Sequence, residues 1–226
     1  MLGVPLIERA IRSAVEAGAD DFYVVTGYQW EGIRDFLVRL AERLGIPITT
    51  LINADWEKEN GFSVLKARAY LHEPFLLLMA DHLFDPSIAR EMMAHPPAEG
   101  EILLAVDGDI RNSLIDMEDV TRVMTEDGRI RNIGKGLANF NGFDTGIFLC
   151  TPAIFRALEQ SAEKYGETTL SGAVRILADL GRAGAFHACG QFWIDVDDAA
   201  AFSRAEKALL ERLRDKTNDG PVSRYL

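Results

Sequence analysis

Phe75-Leu76-Leu77-Leu78-Met79-Ala80-Asp81-His82 opens on the longest apolar run in the chain and closes on a carboxylate. Apolar residues in succession, without alternation, read as a strand buried on both faces. The run is far too short to cross a bilayer, which takes about 20 residues. Upstream, Leu6, Ile7, Ala10, Ile11, Ala14 and Val15 fall at helical spacing, and Gly18 stops them. Residues 22–26 then read as a strand ending at Gly27. Ile33, Phe36, Leu37, Leu40 and Leu44 make a second helix, closed by Gly45, and 48–52 is the next strand. A helix over 63–71 leads into the apolar run. Downstream, Pro86 and Ser87 open a helix, and 102–106 is a strand. Strand alternates with helix over short links. That predicts an α/β domain, Rossmann-like, with a mostly parallel sheet covered by helices on both faces.

The pattern changes after residue 119. Val120-Thr121-Arg122-Val123 and Arg129-Ile130-Arg131-Asn132-Ile133 flank Glu126-Asp127-Gly128, a β-hairpin with an Asp-Gly turn. A strand over 145–150, a helix begun by Pro152 and a helix over 171–180 follow. Two short strands surround Gly190. A last helix, 199–214, carries Phe202, Ala205, Leu209, Leu210 and Leu213 at apolar spacing. No repeat, low-complexity tract or linker interrupts the chain. The expectation is one domain with a small antiparallel hairpin insertion.

Composition narrows the function classes. The 226 residues are 48% apolar and 26% charged, which suits one sizeable core. Lys and Arg number 24 against 35 Asp and Glu, a formal net charge of -11. Such a domain lacks the basic footprint of a general nucleic-acid binder and is not built to sit on anionic lipid. A phosphate ligand would need local cations or a metal. Cys150 and Cys189 belong to no CxxC pair, which argues against a disulfide scaffold or zinc knuckle and fits a reducing, cytoplasmic compartment. No basic segment followed by an apolar one opens the chain, so no signal peptide is expected.

Several motifs are missing from the sequence. It has no GxxxxGK[ST], HExxH or GxSxG. Gly134-Lys135-Gly136 lacks the third glycine of a dinucleotide fingerprint and follows a hairpin. His72, His82, His95 and His187 do not fall at metal spacing and read as surface or supporting residues. Asp81 stands at the carboxyl end of the apolar strand, where open α/β sheets bind ligands, and a carboxylate there suits magnesium. A plain turn cap explains it equally well. In Phe192-Trp193-Ile194-Asp195-Val196-Asp197-Asp198, strand alternation points Asp195 and Asp197 the same way. Asp198 precedes a helix and reads as its N-cap. Asp195, set between apolar residues, costs desolvation energy unless paired or metal-bound. At Glu59-Asn60-Gly61-Phe62-Ser63, Gly61 allows close approach of a ligand, and free amides at the helix start suit an acceptor group. An ordinary loop capped by Ser63 is the plain alternative. Lys135 alone reads as a solvated lysine, and Asp144-Thr145-Gly146 as a turn.

Taken in order, these pieces resemble the nucleotidyltransferase superfamily that makes nucleoside-diphosphate sugars. The order is Val4-Pro5-Leu6-Ile7, Tyr23-Val24-Val25, Asn60-Gly61, the apolar strand into Asp81, Gly134-Lys135, Asp144-Thr145-Gly146, then Trp193-Ile194-Asp195-Val196-Asp197. Asn-Gly in place of the usual small-residue motif, and Asp-His after the central strand, are similar to the inositol-1-phosphate cytidylyltransferase branch. The resemblance covers residues 1–218 and implies a glycosyltransferase-A-like nucleotidyltransferase fold. It implies an enzyme that transfers a cytidylyl group from CTP to a phosphorylated polyol or sugar, with inositol 1-phosphate as acceptor, and releases pyrophosphate. It further implies that Asp81 and Asp195 hold Mg²⁺, that Asn60, Gly61 and Asp81 meet the nucleotide, and that Lys135 neutralises the acceptor phosphate. Asp144, Thr145 and Gly146 would meet the polyol.

Members of that superfamily begin with a buried strand and an LAAGxGxR loop, followed by a Pro-Lys pair. The present sequence starts beyond them, at Gly3-Val4-Pro5-Leu6. The expectation is a chain whose first strand and glycine-rich loop are missing. The tail 219–226, Asp219-Gly220-Pro221-Val222-Ser223-Arg224-Tyr225-Leu226, resembles the junction to a membrane-embedded phospho-alcohol transferase domain in fused members. That implies membrane tethering through a following domain, with no insertion by this chain and no nucleic-acid partner. Three alternatives stand beside this reading: a related sugar-1-phosphate nucleotidyltransferase, a non-catalytic domain of the same fold, and a dinucleotide-binding enzyme. The incomplete glycine fingerprint disfavours the last.

Overall fold

Leu6–Ala17 coils into α1 and stops at Gly18, whose left-handed backbone (φ 112°) lets its N–H reach the Ala14 and Val15 carbonyls. β1 (Phe22–Thr26) and β2 (Ile48–Ile52) run parallel, joined by α2 (Trp30–Leu44). Ile11, Leu37 and Leu40 form the core of this unit. The buried Glu8 carboxylate ties α1 to α2 by accepting from Arg12 and Arg43 at 2.7 Å each. The computed structural model describes residues 1–219.

The remaining elements in chain order are α3 (Gly61–Lys66), β3 (Phe75–Leu78), β4 (His82–Phe84), α4 (Pro86–Ala94) and β5 (Ile102–Asp107). Next come β6 (Arg122–Glu126), β7 (Arg129–Gly134), β8 (Gly142–Cys150), α5 (Ala153–Tyr165) and α6 (Leu170–Asp179). β9 (Ala183–His187), β10 (Trp193–Asp195) and α7 (Ala199–Asp219) complete the set. Among the described residues no helix is long and apolar enough to cross a membrane. The tail reading falls on residues that, after Asp219, lie outside the described ones.

Six strands form the main sheet in the order β3-β8-β5-β9-β7-β6. Alternation along β8 sorts its side chains: Phe148 and Cys150 face a core made with α5 and α6, while Ile147 and Leu149 face a core made with α4. Helices therefore cover both faces, as the sequence predicts. The pairing corrects one expectation, since the sheet is mixed and not mostly parallel. Among the described residues only β5–β9 and β1–β2 are parallel, whereas β8 lies antiparallel to both β3 and β5. Alternating strands and helices promise parallel neighbours only when each strand sits beside the next. Here β8 enters between β3 and β5 from far along the chain. The hairpin is as expected: β6 and β7 pair antiparallel across Asp127 (φ 51°) and Gly128 (φ 71°), the left-handed pair a two-residue turn requires.

β3 ends the six-stranded sheet, and the β1–β2 ribbon is not hydrogen-bonded to it. All four β3 residues are only half-buried, although they belong to the most apolar run in the chain.

Candidate active site

Beyond β3 the chain turns at Asp81 and re-enters as β4, a three-residue strand the sequence reading missed. β4 pairs antiparallel with β10 in a register that sets Trp193 opposite Phe84, Ile194 opposite Leu83, and Asp195 opposite His82. That pairing brings Asp81 and Asp195 together from distant parts of the chain. One ligand atom from each of Asp81, His82 and Asp195 lies within 4.8 Å of the others. Asp119, Asp195 and Asp197 form a second such group, so Asp195 belongs to both. As expected, Asp195 and Asp197 point the same way. Asp198 caps α7, accepting from the Ala201 N–H at 2.6 Å.

β8 supplies a third carboxylate. Against β5 its register jumps: Leu104 opposes Phe148, yet Val106 opposes Asp144. The extra β8 residues form a bulge around Gly146, whose φ is 73°. A Cβ on Gly146 would stand 2.5 Å from the His82 ring, so only glycine lets that ring fit. Within the bulge Asp144 accepts from the Gly146 N–H at 2.8 Å and faces His82.

His82 thus stands among three carboxylates with its side chain only 12% exposed. Its Nδ1 lies 2.9 Å from Asp81 Oδ1 and 3.5 Å from Asp195 Oδ1. Burial pushes the imidazole pKa down, but the Asp81 hydrogen bond and the charges of Asp195, Asp81 and Asp144 outweigh it, and the net shift is upward. The same His82 hydrogen bond holds Asp81 below its usual value against burial. Burial pushes Asp144 up to about 6 and outweighs the Gly146 N–H and the His82 charge, which pull it down. It pushes Asp195 up to about 6 as well, where the His82 charge opposes it and those of Asp197 and Asp81 assist. Trp193 stacks on His82 with centroids 6.5 Å apart and donates its indole N–H to Asp107 at 2.9 Å. Asp107 is 1% exposed and also accepts from the Asn112 side chain, so the stack is anchored from below.

His82, Asp144, Trp193 and Asp195 line one cleft of about 280 Å³, which Asn60, Asp119, Lys135, Asp197 and Arg204 also border; Asp81 reaches it through its hydrogen bond to His82. The sequence reading put His82 among supporting residues and did not single out Asp119 or Asp107. The one sequence signal for His82 is its place beside Asp81. Asp119 sits in an irregular segment that carries no periodicity.

Two expected site residues lie elsewhere. Thr145 is fully buried and donates its hydroxyl to the Ala105 carbonyl at 2.8 Å, because strand alternation turns it away from Asp144. It is not available to a polyol. The bare face of Gly61 is filled by the protein itself: a Cβ there would stand 2.3 Å from the Thr168 carbonyl oxygen and 2.5 Å from Leu158. The amides at this helix start are also engaged, Gly61 N–H by Thr168, Phe62 N–H by Glu59 and Ser63 N–H by Asn60. Asn60 does border the cleft, with its side-chain Oδ1 accepting from the Leu170 N–H at 3.0 Å. Lys135 reaches the cleft paired to Asp119.

The donor set of the first cluster suits a divalent cation. Two carboxylates and an imidazole converge, and Asp195 Oδ1 is buried without a hydrogen-bond partner. A mixed α/β sheet with such a cluster at its strand ends is the build of a nucleotidyltransferase domain. The chain belongs to the MobA-like NTP transferase domain family, which it matches over residues 1–183.

Two curated relatives are both named bifunctional IPC transferase and DIPP synthase. The one from Rubrobacter xylanophilus is 33% identical over 228 residues, covering 99% of this chain and 49% of the relative. The one from Aquifex aeolicus is 29% identical over 225 residues, with the same coverage. The chain therefore spans about half the length of these relatives. Among solved structures, the inositol-1-phosphate CTP transferase from T. maritima superposes with a TM-score of 0.76 at 27% identity, covering 87% of this chain and 78% of that one. A UDP-glucose pyrophosphorylase complexed with UDP-glucose shares the fold at a TM-score of 0.72 and 20% identity, covering 92% and 87%.

Proposed function

We propose that this domain transfers a cytidylyl group from CTP to inositol 1-phosphate, releasing pyrophosphate. The observation that carries the reading is the β4–β10 pairing, which joins Asp81, His82 and Asp195 beneath the cleft. The name of the T. maritima structure supplies the nucleotide and the acceptor.

A phosphate oxygen of the acceptor forms a bond to the α-phosphorus of CTP, the bond from that phosphorus to the β-phosphate oxygen breaks, and pyrophosphate leaves. The attacking oxygen is already anionic, so no strong general base is needed. The domain's task is positioning and charge neutralisation. Asp81 and Asp195 would hold Mg²⁺, which would supply positive charge to the phosphates. His82, fixed by Trp193, keeps the two carboxylates apart and oriented. Lys135 gives its charge to the acceptor phosphate, Asp144 accepts from a polyol hydroxyl, and Asn60 offers its amide to the nucleotide.

Pyrophosphate release by the natural chain that carries these residues tests the reading. CTP with inositol 1-phosphate and Mg²⁺ is expected to give turnover. UTP, GTP, ATP and glucose 1-phosphate are expected to give much less. Faster release with UTP and glucose 1-phosphate would replace the reading with a uridylyltransferase.

A further inference from the structure

In an acidic cleft, a cation without a protein partner is an exception that calls for an explanation. Among the described residues four arginines have a buried Nε that makes no hydrogen bond: Arg9, Arg122, Arg175 and Arg204. In three of them the rest of the guanidinium is engaged. Arg9 donates to the Met1 carbonyl, Arg122 to those of Leu137 and Met117, and Arg175 pairs with Glu167. The Arg204 side chain, on α7, has no hydrogen bond, ion pair or ring contact with any described residue. Yet it borders the cleft together with Asp119, Asp195, Asp197 and Asp198 and pairs with none of them.

A guanidinium stays charged at any working pH and presents a planar fork that matches a phosphate. Leaving one of its buried N–H groups unpaired is unfavourable, and such groups usually mark an absent ligand or water. Phosphate entry into this cleft also needs positive charge to offset the carboxylates. Among the described residues two Lys or Arg side chains line it: Lys135, which shares its charge with Asp119, and Arg204, which no described carboxylate offsets.

We propose that Arg204 is a ligand of the acceptor's phosphomonoester, binding it through the guanidinium from the α7 side of the cleft. This deepens the reading given under the proposed function and rests on it for the identity of the acceptor.

The test uses Arg204→Gln and Arg204→Lys in the natural chain, with melting temperatures to establish that each is folded. Initial rates are measured with CTP and inositol 1-phosphate varied separately. Arg204→Gln is expected to raise the KM for inositol 1-phosphate about 10- to 100-fold, the effect of losing a charged hydrogen bond. The KM for CTP is expected to stay within about twofold, and Arg204→Lys to fall between, since charge remains but the fork is lost. An acceptor KM unchanged in the Gln variant, or an equal rise in both KM values, would overturn the assignment. Failure of the wild type to use CTP would defeat the functional reading instead. Calorimetric titration with inositol 1-phosphate then decides the inference alone. Binding to the wild type that weakens tenfold or more in Arg204→Gln upholds it, and equal binding, or none to the wild type, overturns it.

Discussion

Gly61→Ala discriminates between two roles for the segment before α3. One role keeps Gly61 bare so that a nucleotide can lie against it. The other keeps it bare because the protein fills the space. The added methyl would stand 2.3 Å from the Thr168 carbonyl oxygen, 2.5 Å from Leu158 Cδ2 and 2.9 Å from the Thr168 carbonyl carbon. Two of these three atoms are backbone, so no rotamer change relieves the contact. The segment would have to move off 168–170. That strains the Gly61 N–H bond to Thr168 (3.0 Å). Overpacking costs about 1–3 kcal/mol, and one strained hydrogen bond adds about 1 kcal/mol. The sum is about 2–4 kcal/mol. At about 2–4 °C per kcal/mol for a domain of this size, the midpoint should fall by roughly 4–16 °C. Thermal denaturation followed by circular dichroism reads this directly. A variant that melts with the wild type but has a raised KM for CTP would refute the packing role and restore Gly61 to the nucleotide.

Other consequences can be measured separately. Lys135→Ala should raise the KM for the acceptor by about tenfold or more and leave that for CTP near its wild-type value; the reverse split would move Lys135 to the nucleotide side. Burial pushes the Glu8 carboxyl up, but hydrogen bonds from Arg12 and Arg43 outweigh it, so its pKa in the folded state lies below the ordinary value of 4.5. Its stabilisation is therefore present above that pH and lost as pH falls through the folded-state value. Glu8→Gln should cost about 1–3 kcal/mol at neutral pH and flatten the acid limb of the stability curve; an unchanged limb would remove Glu8 from the account.

Local pattern carried much of the fold. β1 and β2 occupy 22–26 and 48–52, as their apolar runs predict, because flanking Gly and Pro punctuate both. The Asp127-Gly128 turn was legible because few other dipeptides tolerate two left-handed residues. The helix predicted over 63–71 is shorter, Gly61–Lys66, because the chain turns after Lys66 to reach β3. Pairings between distant segments were not legible. Nothing local marks His82-Leu83-Phe84 as a strand; β10 makes it one. Asp81 and Asp195 could be singled out as carboxylates at strand ends. The burial of His82 between them follows from the β8 bulge and the Trp193 stack, neither of which leaves a periodic trace.

The account stands most directly on the Asp81–His82–Asp195 cluster as the centre of cytidylyl transfer. ³¹P NMR of CTP and inositol 1-phosphate with Mg²⁺ follows product formation by the wild-type natural chain and by its Asp81→Asn and Asp195→Asn variants. The wild type should form a new diphosphodiester and pyrophosphate, and chelation of Mg²⁺ should stop it. Both variants should fold and lose at least about two orders of magnitude in rate, as expected when an electrostatic group at a reacting phosphoryl centre is removed. Product formation by either variant at close to the wild-type rate would contradict the account.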